Sequence, residues 1–125
     1  MEKISTSLAP AAIGPYSQGI KCNGMLYASG QIPLDPATGQ LVPGGITEQA
    51  HQAFRNVKNL VEAAGTTMAN VVKVTVFMAD MADFATVNDI YAQYFSDPYP
   101  ARSAVAVKSL PKGALLEVEV VAVVE

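Results

Sequence analysis

Two charged residues near the C-terminus sit in otherwise apolar sequence: Arg102 in "YPARSAVAVKSL" and Glu117 in "ALLEVEVVAVV". A guanidinium or carboxylate beside a buried run is costly unless a counter-charge or hydrogen-bonding group meets it, so each residue asks for a partner. Strand alternation over 102–108 puts Arg102, Ala104, Ala106 and Lys108 on one face and Ser103, Val105 and Val107 on the other, the second set being expected to face the helices. In a strand over 114–124, Leu116, Val118, Val120, Ala122 and Val124 form an apolar stripe, with Glu117 and Glu119 opposite. If "SLPKG" turns these two strands into a hairpin, Ala106 falls opposite Glu117 and Arg102 opposite Val121. Arg102 and Glu117 then point the same way, roughly 13 Å apart at about 3.3 Å per residue. The gap, floored by Ala104 and Ala106, has room for a small molecule with its anionic end at Arg102 and its reacting end near Glu117. A structural ion pair, or two charges solvated at an oligomer rim, fits the same pattern.

Other chemistries find less support. "GPYSQGIK" has the outline of a phosphate loop, but its lysine does not directly follow the second glycine and no Ser or Thr comes after it. No serine is flanked as in a nucleophile elbow, and the single histidine, His51, has no neighbouring nucleophile to activate. Cys22, the one cysteine, forms no CxxC and no metal-ligand cluster, so neither a redox pair nor a zinc site is expected, and no cofactor is implied.

The elements that must position Arg102 and Glu117 follow from periodicity. Asn23-Gly24 lies between two short apolar runs in "SQGIKCNGMLYASGQI" and predicts a tight two-residue hairpin. "PLDPATGQLVPGG" has the composition of a surface loop. From Thr47, apolar residues at Ala50, Phe54, Val57, Leu60, Val61 and Ala64 recur at helical spacing and stop at Gly65. Thr47 is the expected cap, Glu48 complements the helix dipole, and His51 falls with Arg55, Lys58 and Glu62 on the solvated face. "NVVKVTVFMAD" predicts a strand covered on both faces. "DFATVNDIYAQYF" returns to helical spacing through Phe84, Val87, Tyr91, Tyr94 and Phe95, an aromatic stripe expected to pack in the core. The order β-β-α-β-α-β-β predicts an α+β sandwich: one mixed sheet, with two helices packed on one face, in a single domain spanning 1–125.

Half of the 125 residues are hydrophobic and only 15% are charged, against about 25% charged in a typical soluble domain. Such apolar excess, without a stretch long enough to cross a bilayer, predicts a homo-oligomer. A net charge of −3 argues against a nucleic-acid binder. The N-terminal "MEKISTSLAPAAIGPYS" lacks the pattern of a secretory signal, which predicts a cytoplasmic protein without membrane partners.

Taken together, "APAAIGPYSQGI", "SGQIPLDPATGQ", "ATVN" and "YPARSAVAVKSLPKGALLEVEVVAV" resemble, in order and spacing, the RidA (YjgF) family across essentially the whole chain. The resemblance implies a chorismate-mutase-like α+β fold assembled as a homotrimer, with three small-acid sites in the clefts between subunits. It also implies cofactor-free hydrolysis of 2-iminobutanoate and 2-iminopropanoate to 2-keto acids and ammonia. The family's carboxylate-binding arginine falls on Arg102, and the glutamate associated with its catalytic water falls on Glu117. Its site tyrosine and serine match Tyr16 and Ser29, its loop glycine Gly30 and its helix asparagine Asn88. Many relatives carry cysteine two residues after the arginine, where this chain has Ala104. That position contributes to substrate binding chiefly through its main chain and the pocket's shape, so rate and substrate preference are where the departure would show. Other branches of the family have regulatory roles, and a non-catalytic carboxylate-binding protein acting through a macromolecular partner is the alternative reading.

Overall fold

A computed structural model describes all 125 residues. Eight elements run in chain order: β1 (Glu2–Ile4), β2 (Gly19–Cys22), β3 (Met25–Ala28), α1 (Ile46–Ala63), β4 (Val71–Met78), α2 (Phe84–Tyr94), β5 (Ala101–Ala106) and β6 (Leu116–Val123). The strands form one six-stranded mixed sheet in the order β1-β2-β3-β6-β4-β5, and both helices lie on the same face of it. The α+β architecture is the one expected, and no helix is long and apolar enough to cross a membrane.

Local chemistry accounts for the elements. Asn23 and Gly24 adopt φ of 53° and 75°, the left-handed pair that a two-residue hairpin between twisted strands requires. Cys22 and Met25 pair across this turn. Helix α1 is capped by Gly45 rather than by Thr47: the Glu48 carboxylate reaches back and accepts from the Gly45 N–H at 2.8 Å. The carboxylate thereby satisfies a backbone donor at the positive end of the helix. Gly65, at φ 90°, ends the helix as expected. His51 is not on a free face, since its Nδ1 lies 2.9 Å from the Tyr94 hydroxyl on α2.

The core lies between α1 and the sheet. Ala50, Ala53, Phe54, Val57, Leu60 and Val61 of α1 are buried with Leu26, Val74, Val76, Met78, Leu116, Val118, Val120 and Ala122. Phe54 is at its centre, edge-on to Tyr91 and Phe95 and stacked on Tyr94. Truncating a residue so placed typically costs about 3–5 kcal/mol.

Two expectations about strand pairing fail. β5 and β6 form no hairpin: β5 pairs in parallel with β4, and β4 separates it from β6. The cause is the β4-α2-β5 crossover, in which a strand returning through a helix lands parallel beside its predecessor. The faces of β5 are consequently reversed. Arg102, Ala104 and Ala106 are level with the buried, helix-facing Val74, Val76 and Met78 of β4, whereas Ser103 and Val105 are level with Thr75 and Phe77 on the opposite side. A third difference is β1, too short at three residues to leave a periodic signal.

The sheet face away from the helices is only half covered. Lys73, Thr75 and Phe77 of β4 are partly exposed there, beside Val105 of β5 and Tyr27 of β3, which are 43% and 52% exposed. The covering expected on both faces of β4 is therefore present on one face of the chain alone.

Candidate functional site

The residues with chemistry fall into two groups. The first surrounds Arg102. Phe84, Asn88 and Tyr91 recur at i, i+4 and i+7 along α2, which places them on one helix face, and that face lies over the edge strand β5. One guanidinium nitrogen of Arg102, Nη1, donates to Asn88 Oδ1 at 2.7 Å. The guanidinium carbon lies 4.7 Å from the centroid of the Tyr91 ring and 5.4 Å from that of Phe84. Asn88, Tyr91, Ala92, Tyr99, Pro100 and Arg102 line a cavity of about 430 Å³. Burial raises the Tyr91 phenol above its ordinary pKa, with the Arg102 charge working in the opposite direction. The buried Tyr91 hydroxyl has no hydrogen-bond partner. Ala104 packs against the core one strand pleat from Arg102.

The second group surrounds Glu117. Its strand neighbour across β4 is Phe77, so its side chain lies on the face away from the helices. Tyr16, Gly30 and Glu117 line a cavity of about 350 Å³, walled on its apolar side by Pro10, Ile13 and Ile32. Burial, and secondarily the charge of Glu119, hold the Glu117 carboxyl above the ordinary glutamate range. Gly30 leaves room for the Glu117 carboxyl: a Cβ there would stand 2.8 Å from its carboxyl carbon and displace that side chain. Lys21 and Glu2, at 3.7 Å, make the one ion pair of the chain, which leaves both Arg102 and Glu117 without a counter-charge.

Buried amides hold the walls of this second cavity. Gln18 donates to the carbonyls of Thr6, Ala9 and Pro10 and accepts from the Thr6 N–H, which fastens the N-terminal segment. Asn56 donates to the carbonyls of Ile32 and Leu34 and fastens the segment after β3 to α1. Each is a buried polar group with several bonds satisfied, the condition under which burial is tolerated.

The expected site residues are thus distributed. Tyr16, Gly30 and Glu117 meet, and so do Arg102 and Asn88, with Ala104 beside them. Ser29 lines neither cavity: its hydroxyl donates to the Ser17 carbonyl at 2.6 Å, joining the two segments that carry Tyr16 and Gly30. The two groups lie on opposite faces of the sheet, so the expectation that Arg102 and Glu117 point the same way within one chain is corrected, the reversed faces of β5 being the reason. Sequence reasoning missed Tyr91 and Phe84 as neighbours of Arg102. Their i and i+7 spacing around Asn88 was the available signal. It also missed Gln18 and Asn56, for which no local signal exists because their partners are distant backbone carbonyls.

Residues 6–124 match the family model described as Endoribonuclease L-PSP. The chain is 55% identical over 120 residues to the cattle protein named 2-iminobutanoate/2-iminopropanoate deaminase, covering 96% of this chain and 88% of that one. Among solved structures, RidA from an Antarctic Psychrobacter species superposes with a TM-score of 0.95 at 44% identity, covering 99% of this chain and all of that one. TdcF of E. coli, solved with bound serine, superposes with a TM-score of 0.94 at 45% identity over the full length of both chains. With matched sequence over nearly its whole length, the same fold, and Arg102, Glu117, Tyr16, Gly30 and Asn88 arranged in two pockets, the chain belongs to the RidA (YjgF) family.

Proposed function

We propose that the protein hydrolyses short 2-imino acids, 2-iminobutanoate and 2-iminopropanoate, to 2-keto acids and ammonia, at sites formed where two copies of the chain meet. The observation that carries this reading is the pair of uncompensated, opposite charges in separate pockets: a guanidinium at a sheet edge and a desolvated carboxyl in a recess. A 2-imino acid complements both. Its carboxylate suits the guanidinium fork, and its C=N carbon, one bond away, suits a water held by a carboxylate. Because the pockets open on opposite faces of one sheet, a substrate a few ångströms long can engage both only if a second copy brings its Glu117 pocket to the Arg102 of the first. Val105 and Tyr27 on the half-covered sheet face, and the unpaired outer edge of β5, are surfaces such a copy would cover. A homotrimer with three equivalent seams satisfies this in closed form.

In the reaction, Arg102 binds the substrate carboxylate through two parallel N–H···O bonds while Asn88 occupies a third donor. The substrate reacts as its iminium, and Glu117 takes a proton from water as the water oxygen attacks the C=N carbon, giving the carbinolamine C(OH)NH2. Glu117 then gives that proton to the nitrogen; as the C–N bond breaks and ammonia leaves, the hydroxyl becomes the C=O of the keto acid and its proton passes to the Glu117 carboxylate, from which ammonia or solvent takes it. A carboxyl whose pKa stands above the ordinary range is the stronger base for this step, and positioned acid–base help is typically worth about 10²- to 10⁴-fold. The C=N bond is already polarised, so the step needs no electron sink. Tyr16 completes the polar lining, the Gly30 N–H contacts the carboxylate, and Ser29 holds the Tyr16 and Gly30 segments together. The bound serine of TdcF supports the substrate class, since serine carries a carboxylate and a nitrogen on one carbon as a 2-imino acid does. The nuclease named in the family description has little charge support in this chain, with 8 Lys+Arg against 11 Asp+Glu.

The test generates 2-iminobutanoate in situ with a dehydratase and follows its disappearance with and without the protein. Faster loss supports the deaminase. Binding of 2-ketobutyrate without acceleration would replace it by the regulatory, carboxylate-sensing reading.

A further inference from the structure

We infer that Tyr91, with Phe84, is the positioning residue of the carboxylate site: an aromatic bracket that holds the Arg102 guanidinium in one plane, with its free edge turned to the acid. This deepens the proposed reading and rests on it. The argument starts from an exposed arginine on an edge strand. Such a side chain spreads over many rotamers, and binding a planar carboxylate bidentately requires that freedom to be lost. Here most of it is already lost. The guanidinium carbon stands 4.7 Å from the Tyr91 centroid and 5.4 Å from the Phe84 centroid, and Asn88 fixes Nη1. Three α2 residues on one helix face thus restrain a single cation.

Tyr91 is itself immobile. Its ring stacks on Phe95 at 4.4 Å between centroids and stands edge-on to Phe54, so the bracket is anchored in the core. No hydrogen bond from its hydroxyl within the chain holds the ring in place. The ring's position over the cation therefore carries the inference, and the ring without the hydroxyl should suffice.

The experiment titrates 2-ketobutyrate into the assembled protein by calorimetry and measures KM and kcat for 2-iminobutanoate. Loss of a partly desolvated cation–π contact should weaken binding about 3- to 10-fold. Tyr91→Leu should raise both Kd and KM by that factor and leave kcat at saturation unchanged, and Tyr91→Phe should restore wild-type affinity. Phe84→Leu, at the half-exposed start of α2, should show a smaller loss of the same kind with the fold undisturbed. In an Arg102→Ala background, Tyr91→Leu should add no further loss. Wild-type affinity in both leucine variants, failure of phenylalanine to restore binding, or an undiminished Tyr91→Leu effect without Arg102 would each overturn the inference. If the wild type binds 2-ketobutyrate but leaves imine hydrolysis unaccelerated, the deaminase reading falls while the affinities still decide the role of Tyr91. If the wild type does not bind it, both fall.

Discussion

Arg102 and Glu117 both stand beside apolar packing, and the fold treats them in opposite ways. Arg102 lies on an edge strand, where its guanidinium faces two aromatic rings and one amide oxygen. Glu117 lies on the interior strand β6, in a recess where burial and Glu119 both oppose ionisation. One pocket is a preformed receptor for an anion, and the other is a primed base. The difference shows how two half-sites can divide binding from chemistry, each stable alone and neither sufficient. It also directs what each substitution should change.

Glu117→Gln should give the largest effect. It keeps the shape of the recess and removes the base, so kcat should fall by about 10²- to 10⁴-fold, while calorimetric affinity for 2-ketobutyrate stays close to wild type. A large loss of affinity with kcat retained would exchange the roles of the two pockets. Gly30→Ala comes next. The added methyl would displace the Glu117 carboxyl, and a misplacement near 1 Å can cost about 10²-fold in rate. The loss should again be in kcat, and an unaltered kcat would show that the carboxyl has no fixed working position.

The smallest effect is on stability against pH. The Glu117 carboxyl is raised in the folded chain, so the native state holds that proton more tightly than the unfolded state does. Its stabilising contribution is complete below the ordinary glutamate value and disappears as pH rises through the raised value. Glu117→Gln lacks this dependence. Urea midpoints should therefore shift in favour of the variant as pH rises across that window, and parallel midpoint curves would show that the recess does not desolvate the carboxyl.

How legible all this was in the sequence depended on the range of the interaction. The Asn23-Gly24 hairpin, the α1 stripe ending at Gly65 and the apolar stripe of β6 are local patterns, and each formed as read. Pairing is not local. Periodicity says which residues of β5 share a face but not which strand lies alongside. Val105 and Val107 make the more apolar stripe, and that pattern alone points their face toward the helices. The crossover through α2 instead turned Arg102, Ala104 and Ala106 inward, where small side chains leave room for Asn88 and Tyr91 above the arginine. The Thr47 cap failed for a related reason: a better acceptor, the Glu48 carboxylate, reached the backbone one turn earlier. Residues of the two pockets came from a resemblance spanning the chain, whereas the division into two half-sites required knowing which side of the sheet each one occupies.

The central claim, that Arg102 of one copy and Glu117 of another act on one substrate, is tested most directly by mixing two inactive variants. Arg102→Ala and Glu117→Gln chains, unfolded together and reassembled at equal amounts, should regain about a quarter of the wild-type rate, because one seam in four then joins an intact arginine to an intact glutamate. A mixture no more active than the two variants kept apart would contradict it.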